Sequence, residues 1–371
     1  MTLRVGMVAR TLNLHHIRGT GRYVQEILRN TTQADGIEWV AYGHDPEKPL
    51  HLPAGFAGKT DVFDFKGDRF RLWEQLGLPM HARRDGVQVL HCADNTAPVW
   101  QPMPTVVTIH DTVPWVEEMP DRLTHLYMHP VQRKAFGRCA AVITISENSR
   151  RDIEARWPEV ADRLVVIPHG IADDFFSAEH AKLPEALLER IGGSRYLVYL
   201  GGPQPRKRFE WAVDLLKQCG DDQVHLVACG FATGADWGAR LPAEVAHRVH
   251  FAPYIGDAQL VSLYRGAVGT LYPTLYEGFG FPAVESQAAG TPVIFSPVSS
   301  LVDLVGPLSW TATAEDFAAW RAALHEVLVL PPDARAQRAA QAQAWSQRFS
   351  WRSSVEMHLN VYRKLADDRR P

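Results

Sequence analysis

Short apolar runs alternate along this chain with longer amphipathic stretches. Leu3–Val8 reads as a buried strand, and Tyr23–Asn30 continues as a helix. Trp39–Tyr42, Val87–His91, Thr105–Ile109, Ala140–Ile145 and Leu164–Ile167 repeat the strand signature, the last running into Pro168-His169-Gly170. Nearly continuous apolar runs, rather than strict alternation, mark strands covered on both faces. This β-then-α rhythm predicts a parallel sheet flanked by helices.

The stretch 173–184 breaks the rhythm, and its mixed polar and aromatic character suits a linker. A second set of strands opens at Tyr196–Leu200, which leads into Gly201-Gly202-Pro203, and continues at Val224–Ala228, Val249–Phe251, Gly269–Tyr272 and Pro292–Phe295. Helical stretches fall at Arg208–Gln218, Asp257–Tyr264 and Pro282–Ala289, and the Ala/Gln/Arg-rich tail from Pro331 is mainly helical. The expectation is an α/β chain of two doubly wound, Rossmann-like domains, residues 1–175 and 185–349. Open parallel sheets bind ligands at the carboxyl ends of their strands, so two such halves facing each other would share a cleft.

The length, 371 residues, accommodates two domains. With 46% hydrophobic and 22% charged residues and a formal charge of −3, neither half is a basic nucleic-acid module. Cys92, Cys139, Cys219 and Cys229 are far apart and form no C-x-x-C pair, which suits a reducing compartment. The apolar run at the N-terminus is too short for a signal peptide, and no window approaches the ~20 apolar residues of a spanning helix. A cytoplasmic protein is expected, with peripheral contact at the inner face of the membrane left open.

The chemistry concentrates in Pro273-Thr-Leu-Tyr-Glu277-Gly278-Phe279-Gly280-Phe281-Pro282-Ala-Val-Glu285. Two carboxylates stand eight positions apart around a glycine-flanked turn. Pro282 suits the first position of a helix, where its missing N–H costs nothing, and Gly290 is a candidate for its end. Glu285 then falls in the first helical turn. The amides of Gly278, Phe279, Gly280 and the helix start would converge on an anion. A carboxylate on the first turn can take the hydroxyls of a ribose, and one on the preceding loop those of a second sugar. The plainer alternative is that Glu285 merely steadies the helix dipole, worth about 0.3–1 kcal/mol without any ligand.

This run resembles the signature of glycosyltransferase family 4, retaining enzymes of GT-B architecture. Glu277 and Glu285 match its E-x7-E pattern, and the context Tyr-Glu-Gly-Phe-Gly-Phe-Pro with Gly290-Thr-Pro-Val is similar too. The resemblance implies that Glu277 holds the donor sugar's hydroxyls and Glu285 the nucleotide ribose. Gly202, Gly278, Phe279 and Gly280 would line the same donor site. Arg206 and Lys207, after the strand that ends near Gly202, match the family's basic pair, and would neutralise the departing nucleoside diphosphate as a metal does elsewhere. Many relatives carry Gly-Arg directly after that strand, where this chain has Gly201-Gly202, so the basic contacts fall to Arg206 and Lys207. No D-x-D motif is present, and neither metal nor cofactor is expected.

In the first half, Arg18-Gly19-Thr20-Gly21-Arg22-Tyr23 opens a helix. Val24 stands where a dinucleotide fingerprint needs its third glycine, which argues against a nicotinamide site. The loop is similar to the family's G-x-G-R-Y segment, which implies that Gly19, Gly21 and Arg22 cover the donor diphosphate; a plain helix-opening loop is the alternative. His110-Asp111 closes a strand as the family's I-H-D does. His110 would touch the donor sugar and Asp111 would orient it, against the alternative of a satisfied core histidine. Ser146 is placed lining the site, with Asn148 and Ser149 capping the next helix, and His169 is read as structural. The mixed segment Arg69–Arg84 reads as an acceptor- or membrane-facing helix, or equally as one packed on the sheet. Phe349-Ser350-Trp351 and Val361-Tyr362-Arg363 resemble the family's closing pattern, which implies that the helix 350–371 crosses back onto the first domain.

Together these expectations describe a retaining hexosyltransferase. It would resemble the bacterial mannosyl- and rhamnosyltransferases of surface polysaccharide and lipopolysaccharide assembly. GDP-mannose is the first donor candidate, and a glycan or lipid-linked glycan the acceptor. The alternatives are a non-catalytic subunit that binds nucleotide sugars and an epimerase of the same fold.

Overall fold

A computed structural model describes residues 2–14, 17, 19–56, 58–59, 70–115, 122–177, 181–231, 234–253, 255–306 and 309–368. Arg18 and Arg69, which open two of the segments singled out above, lie outside them. The chain forms two compact units, Met1–Gly170 with Ser350–Pro371, and Ile171–Phe349.

The first unit holds a seven-stranded sheet: β1 (Leu3–Val8), β2 (Ile37–Tyr42), β3 (Gly58–Lys59), β4 (Val89–Cys92), β5 (Thr105–Ile109), β6 (Ala141–Thr144) and β7 (Leu164–Val166). Its order is β3-β2-β1-β4-β5-β6-β7, with every pairing parallel. The second unit repeats the scheme with six strands: β8 (Arg195–Leu200), β9 (Val224–Cys229), β10 (Val249–Phe251), β11 (Gly269–Tyr272), β12 (Val293–Phe295) and β13 (Trp310–Thr311). The order β10-β9-β8-β11-β12-β13 is again wholly parallel. Both are doubly wound sheets whose strand order reverses once, between β1 and β4 and between β8 and β11. β4, β5, β6, β11 and β12 are buried along their whole length, as the apolar runs require.

Two features depart from the sequence reading, and a third bears on an alternative it left open. The strands β3 and β13 have only two residues each and carry no periodic signal. The stretch 173–184 is not a free linker: Phe175 sits in a short 3-10 turn, is fully buried, lies 6.3 Å from the Tyr264 ring and accepts a bond at its carbonyl from Arg265 (3.3 Å). An aromatic anchor thus assigns the start of that stretch to the second unit. In the segment that opens at Arg69, Trp73, Glu74, Leu78 and Ala82 are buried whereas Leu76 and Met80 are about half exposed. No helix among the described residues is long and apolar enough to cross a membrane.

The last helix, Trp351–Asp367, belongs to the first unit and packs on β1, β4 and the helix Gly19–Arg29. Its buried stripe, Trp351, Val355, Leu359 and Tyr362, is interrupted by two polar residues, Ser354 and His358. These join a hydrogen-bond chain whose direction follows from one end. The Ser354 carbonyl can only accept, so His358 Nδ1 donates to it (2.7 Å), which leaves Nε2 to accept from the Tyr23 hydroxyl (2.6 Å). Tyr23 has spent its proton, so Thr108 donates to it (2.8 Å) and accepts from His91 Nε2–H (2.8 Å). His91 Nδ1 then accepts from the Tyr362 hydroxyl (2.7 Å). Tyr23, His91, Thr108, His358 and Tyr362 have no exposed surface. An unpaired polar group there would cost about 1–3 kcal/mol. Outside this core, Arg352 grips both carboxylate oxygens of Asp35 (2.9 and 3.0 Å), which holds that carboxyl far below its usual range.

His110 and His169 pack against Tyr23 at 5.0 Å each, which places four buried histidines around one phenol. Burial keeps the rings neutral: His358 is pushed down to about 4, His91 and His169 well below the ordinary value, and His110 below it. The unfolded chain takes up these protons near pH 6.5. Because the folded values are depressed, the stability they contribute is complete above about pH 6.5 and is lost as pH falls toward the folded values. Glu74 has the opposite sign, since burial pushes it up to about 7, but it is one group against four. Acidification from pH 7 to 5 should therefore lower the urea midpoint, with His358 alone contributing about 2 kcal/mol of the loss; a midpoint that rises over this interval contradicts the account. Tyr23→Phe strands both Thr108 and His358 Nε2 and should cost about 1–3 kcal/mol in the same assay.

Candidate functional site

In the second unit the strand order reverses between β8 and β11, and their following loops meet at the carboxyl edge of the sheet. The loop after β8 turns at Gly202, whose φ is 63°; a Cβ there would stand 2.6 Å from the Gly230 carbonyl oxygen. Only glycine meets both demands. The Tyr199 hydroxyl ties the turn down by donating to the Gly202 carbonyl (2.9 Å). A short 3-10 turn, Pro205–Lys207, then presents Arg206 and Lys207. The loop after β11 is laced to it: Leu275 N–H donates to the Arg206 carbonyl and Arg206 Nη1 to the Tyr276 carbonyl, both at 2.8 Å.

Glu277 stands where these loops converge and is 7% exposed. Its Oε1 is bonded by Lys207 Nζ, lies 3.3 Å from Arg206 Nη1 and is 2.8 Å from Thr274 Oγ1. Lys207 also donates to the Tyr272 hydroxyl (3.1 Å). Burial first, then the Glu277 charge, pushes that phenol well above its ordinary range, so it stays neutral. The backbone of Glu277 is fixed from the loop after β12, where its N–H donates to Ser299 Oγ (2.8 Å) and its carbonyl accepts from Ser300 Oγ (2.9 Å).

Beyond Glu277 the turn Gly278–Gly280 leads into the helix Phe281–Ala288. Gly280 caps it at φ 84°, with Leu301 close against the place a Cβ would take. The amides of Gly278 and Gly280 meet no acceptor among the described residues, although both glycines are buried, which suits an anion at a helix start. Between them the Phe279 ring is buried against Phe281 and Phe349 (4.9 and 5.9 Å). The helix begins one residue earlier than its sequence suggests, because Gly280 in the left-handed region already closes the loop. Pro282 is therefore second in the helix, and Glu285, 2% exposed, is fifth, just past the first turn. At the far end Gly290 (φ 82°) follows Ala289, and Thr291 N–H reaches back to the Ser286 carbonyl (2.9 Å).

In the first unit the candidates gather at the ends of β5 and β6. His110, 5% exposed, donates from Nε2 to the Ala93 carbonyl (2.9 Å), and its amide donates to Asn95 Oδ1 (2.7 Å). The Ala93 carbonyl thus fixes the ring and Asn95 the backbone of His110. Asp111 Oδ1 accepts from the Val113 amide (3.0 Å), and its charge reaches the His110 ring. With Nε2 protonated and the ring neutral, Nδ1 of His110 is an acceptor. Ser146 caps the helix Glu147–Arg156, accepting from Ser149 N–H at 3.1 Å, while Asn148 bonds Asp152. The cap falls to Ser146 because its backbone is extended ahead of the helix. Gly19 is exposed at the first position of its helix, and Gly21 is buried, with a Cβ position 2.7 Å from Ile17. Arg22, half-buried, lies near enough to His169 for its charge to help keep that ring neutral.

The model named Glycosyltransferase Family 4 matches residues 17–175, and the model named Glycosyl transferases group 1 matches residues 194–329, most of each unit. The two halves of the chain are glycosyltransferase domains, family 4 in the first and group 1 in the second. The chain is 28% identical over 247 residues to the O-antigen chain mannosyltransferase B of Escherichia coli, covering 64% of each. It is 38% identical over 245 residues to the D-inositol 3-phosphate glycosyltransferase of Acidothermus cellulolyticus, covering 62% of this chain and 54% of that protein. The aligned stretches thus span less than two thirds of these relatives. Sucrose-phosphate synthase of Thermosynechococcus elongatus superposes with a TM-score of 0.74 over 99% of this chain and all of that one, at 19% identity. WaaG, a glycosyltransferase of lipopolysaccharide biosynthesis, superposes at 0.73 over 97% and 99%, at 16% identity. The fold is GT-B.

Four residues that position Glu277, namely Tyr272, Thr274, Ser299 and Ser300, are not distinguished by the sequence reading. The signal for the serines was available: Ser299-Ser300 follows β12, the strand next to β11, so its loop must reach the same edge. Glu74, within the mixed segment Arg69–Arg84, carries no sequence signal of its own, yet it is buried among Thr96, Tyr127, Gln75 and Gln132. The tightest geometric demand at the site is at Gly202. Gly202→Ala should destabilise the protein by at least about 1–2 kcal/mol from the left-handed backbone alone, read from urea unfolding; an unchanged midpoint would mean the loop after β8 can move away from Gly230.

Proposed function

We propose that this chain transfers a hexosyl group from a nucleoside diphosphate sugar to a hydroxyl of a glycan or lipid-linked glycan, with retention at the anomeric carbon. One observation carries the reading: two cations, a buried carboxylate and a glycine turn with two unclaimed amides meet at the switch point of a doubly wound sheet. Arg206, Lys207 and the turn take the diphosphate. Glu277 takes hydroxyls of the sugar and Glu285 those of the ribose. His110, through Nδ1, accepts a hydrogen bond from a sugar hydroxyl.

No side chain needs to act as nucleophile. The acceptor oxygen bonds to the anomeric carbon as the bond from that carbon to the phosphate oxygen breaks, and the acceptor's proton passes to the departing phosphate oxygen. Positive charge from Arg206 and Lys207 stabilises that oxygen as its charge grows. Mannosyl, from GDP-mannose, is the first donor candidate, supported by the mannosyltransferases of Escherichia coli and Salmonella typhimurium among its relatives. A similar fold solved with UDP and with UDP-glucose makes uridine donors the second choice.

A thermal-shift panel of nucleotide sugars should single out one or two that raise the melting temperature, and that donor should slowly release free sugar. If none of the panel shifts the protein, the reading is wrong; binding without any release or transfer favours a non-catalytic subunit. Glu285→Ala should weaken donor binding more than Glu277→Ala, whereas Glu277→Ala should lower kcat by about 10- to 1,000-fold. The reverse ranking in calorimetry and kinetics would overturn the two roles.

A further inference from the structure

The ion pairs at the switch point join groups that the proposed chemistry would have to separate. Lys207 Nζ and Arg206 Nη1 both point at the same oxygen, Oε1 of Glu277. The side chains are 12%, 27% and 8% exposed, so water screens them only in part. Two cations against one carboxylate leave a net single positive charge. A diphosphate that takes over Arg206 and Lys207 draws Glu277's counter-charges away and leaves a largely buried carboxylate beside an anion. Like charges this close, in a poorly screened site, are costly.

Only hydrogen-bond donors can restore the balance. A nucleoside diphosphate that still carries its sugar brings hydroxyls to Glu277; a free nucleoside diphosphate brings none. Resting on the donor site proposed above, we infer that Glu277 is a specificity-determining residue that stands in for the diphosphate by holding its cations, and selects against free nucleoside diphosphate in favour of nucleotide sugar. The same carboxylate that holds the substrate therefore helps to expel the product. Ordinary reasoning about a binding residue predicts that neutralising it weakens every ligand; here it should tighten one of them.

The test is calorimetry on the full chain with GDP, UDP and the nucleotide sugar chosen by the thermal-shift panel. Glu277→Gln keeps the size and shape of the side chain and removes its charge. It should bind at least one of the two nucleoside diphosphates about 5- to 20-fold more tightly than the native chain, while its affinity for the nucleotide sugar does not rise. In a Lys207→Met background, the gain from Glu277→Gln should shrink, because the released cation is no longer there. Equal or weaker binding of both nucleoside diphosphates by Glu277→Gln, with an undisturbed melting temperature, overturns the inference. If Arg206→Ala and Lys207→Ala weaken binding in that case, the donor site itself stands. If the native chain binds neither nucleoside diphosphate nor any nucleotide sugar, the donor site falls and this inference with it.

Discussion

One carboxylate oxygen organises the second unit's site. Oε1 of Glu277 draws together Lys207 from the loop after β8 and Thr274 from the loop after β11, with Arg206 at 3.3 Å. Ser299 and Ser300, from the loop after β12, hold the backbone of the same residue. Three loops that the sheet merely brings to one edge are thereby fixed against one another. Parallel strands make this convergence available, since every strand of such a sheet ends at the same edge. Charge makes it specific: a buried carboxylate must be paired, and the loop after β8 offers both cations. The glycines complete the arrangement. Gly202 lets two loops touch backbone to backbone, and Gly280 starts the helix without a side chain striking Leu301.

Much of this was legible in the sequence because it depends on local periodicity. β1, β5, β10 and β11 lie where their apolar runs place them, since a strand buried on both faces has no other pattern to offer. The residues Arg206, Lys207 and Glu277 were recognisable from motif spacing, and the structure brings them within bonding distance. What could not be read was anything fixed by long-range contact. β3 and β13 exist because a neighbour's edge is there to pair with. Phe175 sits in a stretch that looks like a linker, and only the Tyr264 ring shows where it belongs. Ala93 and Asn95 are distant from His110 in sequence, and no local pattern shows that the Ala93 carbonyl meets its ring and the Asn95 side chain its amide.

The first unit solves a different problem, that of attaching a distant segment. Trp351–Asp367 follows the whole second unit in the chain, yet it packs on β1 and β4. Apolar burial supplies most of the attraction but little discrimination, because an amphipathic stripe can slide. The chain of hydrogen bonds from Tyr362 to the Ser354 carbonyl supplies the discrimination.

That chain runs one way, and each member has a single proton to give and a single place to give it. Ser354, His358 and Tyr362 are spaced at i, i+4 and i+8, one beneath another on the helix. A slip of one residue would set Met357 and Val361, or Leu359 and Arg363, before Tyr23 and His91. Neither pair could both accept from Tyr23 and donate to His91. The protons act as a key cut for one register: the last helix can enter this unit at a single depth, and the sequence encodes that depth in the side chains of His358 and Tyr362 on a largely apolar face.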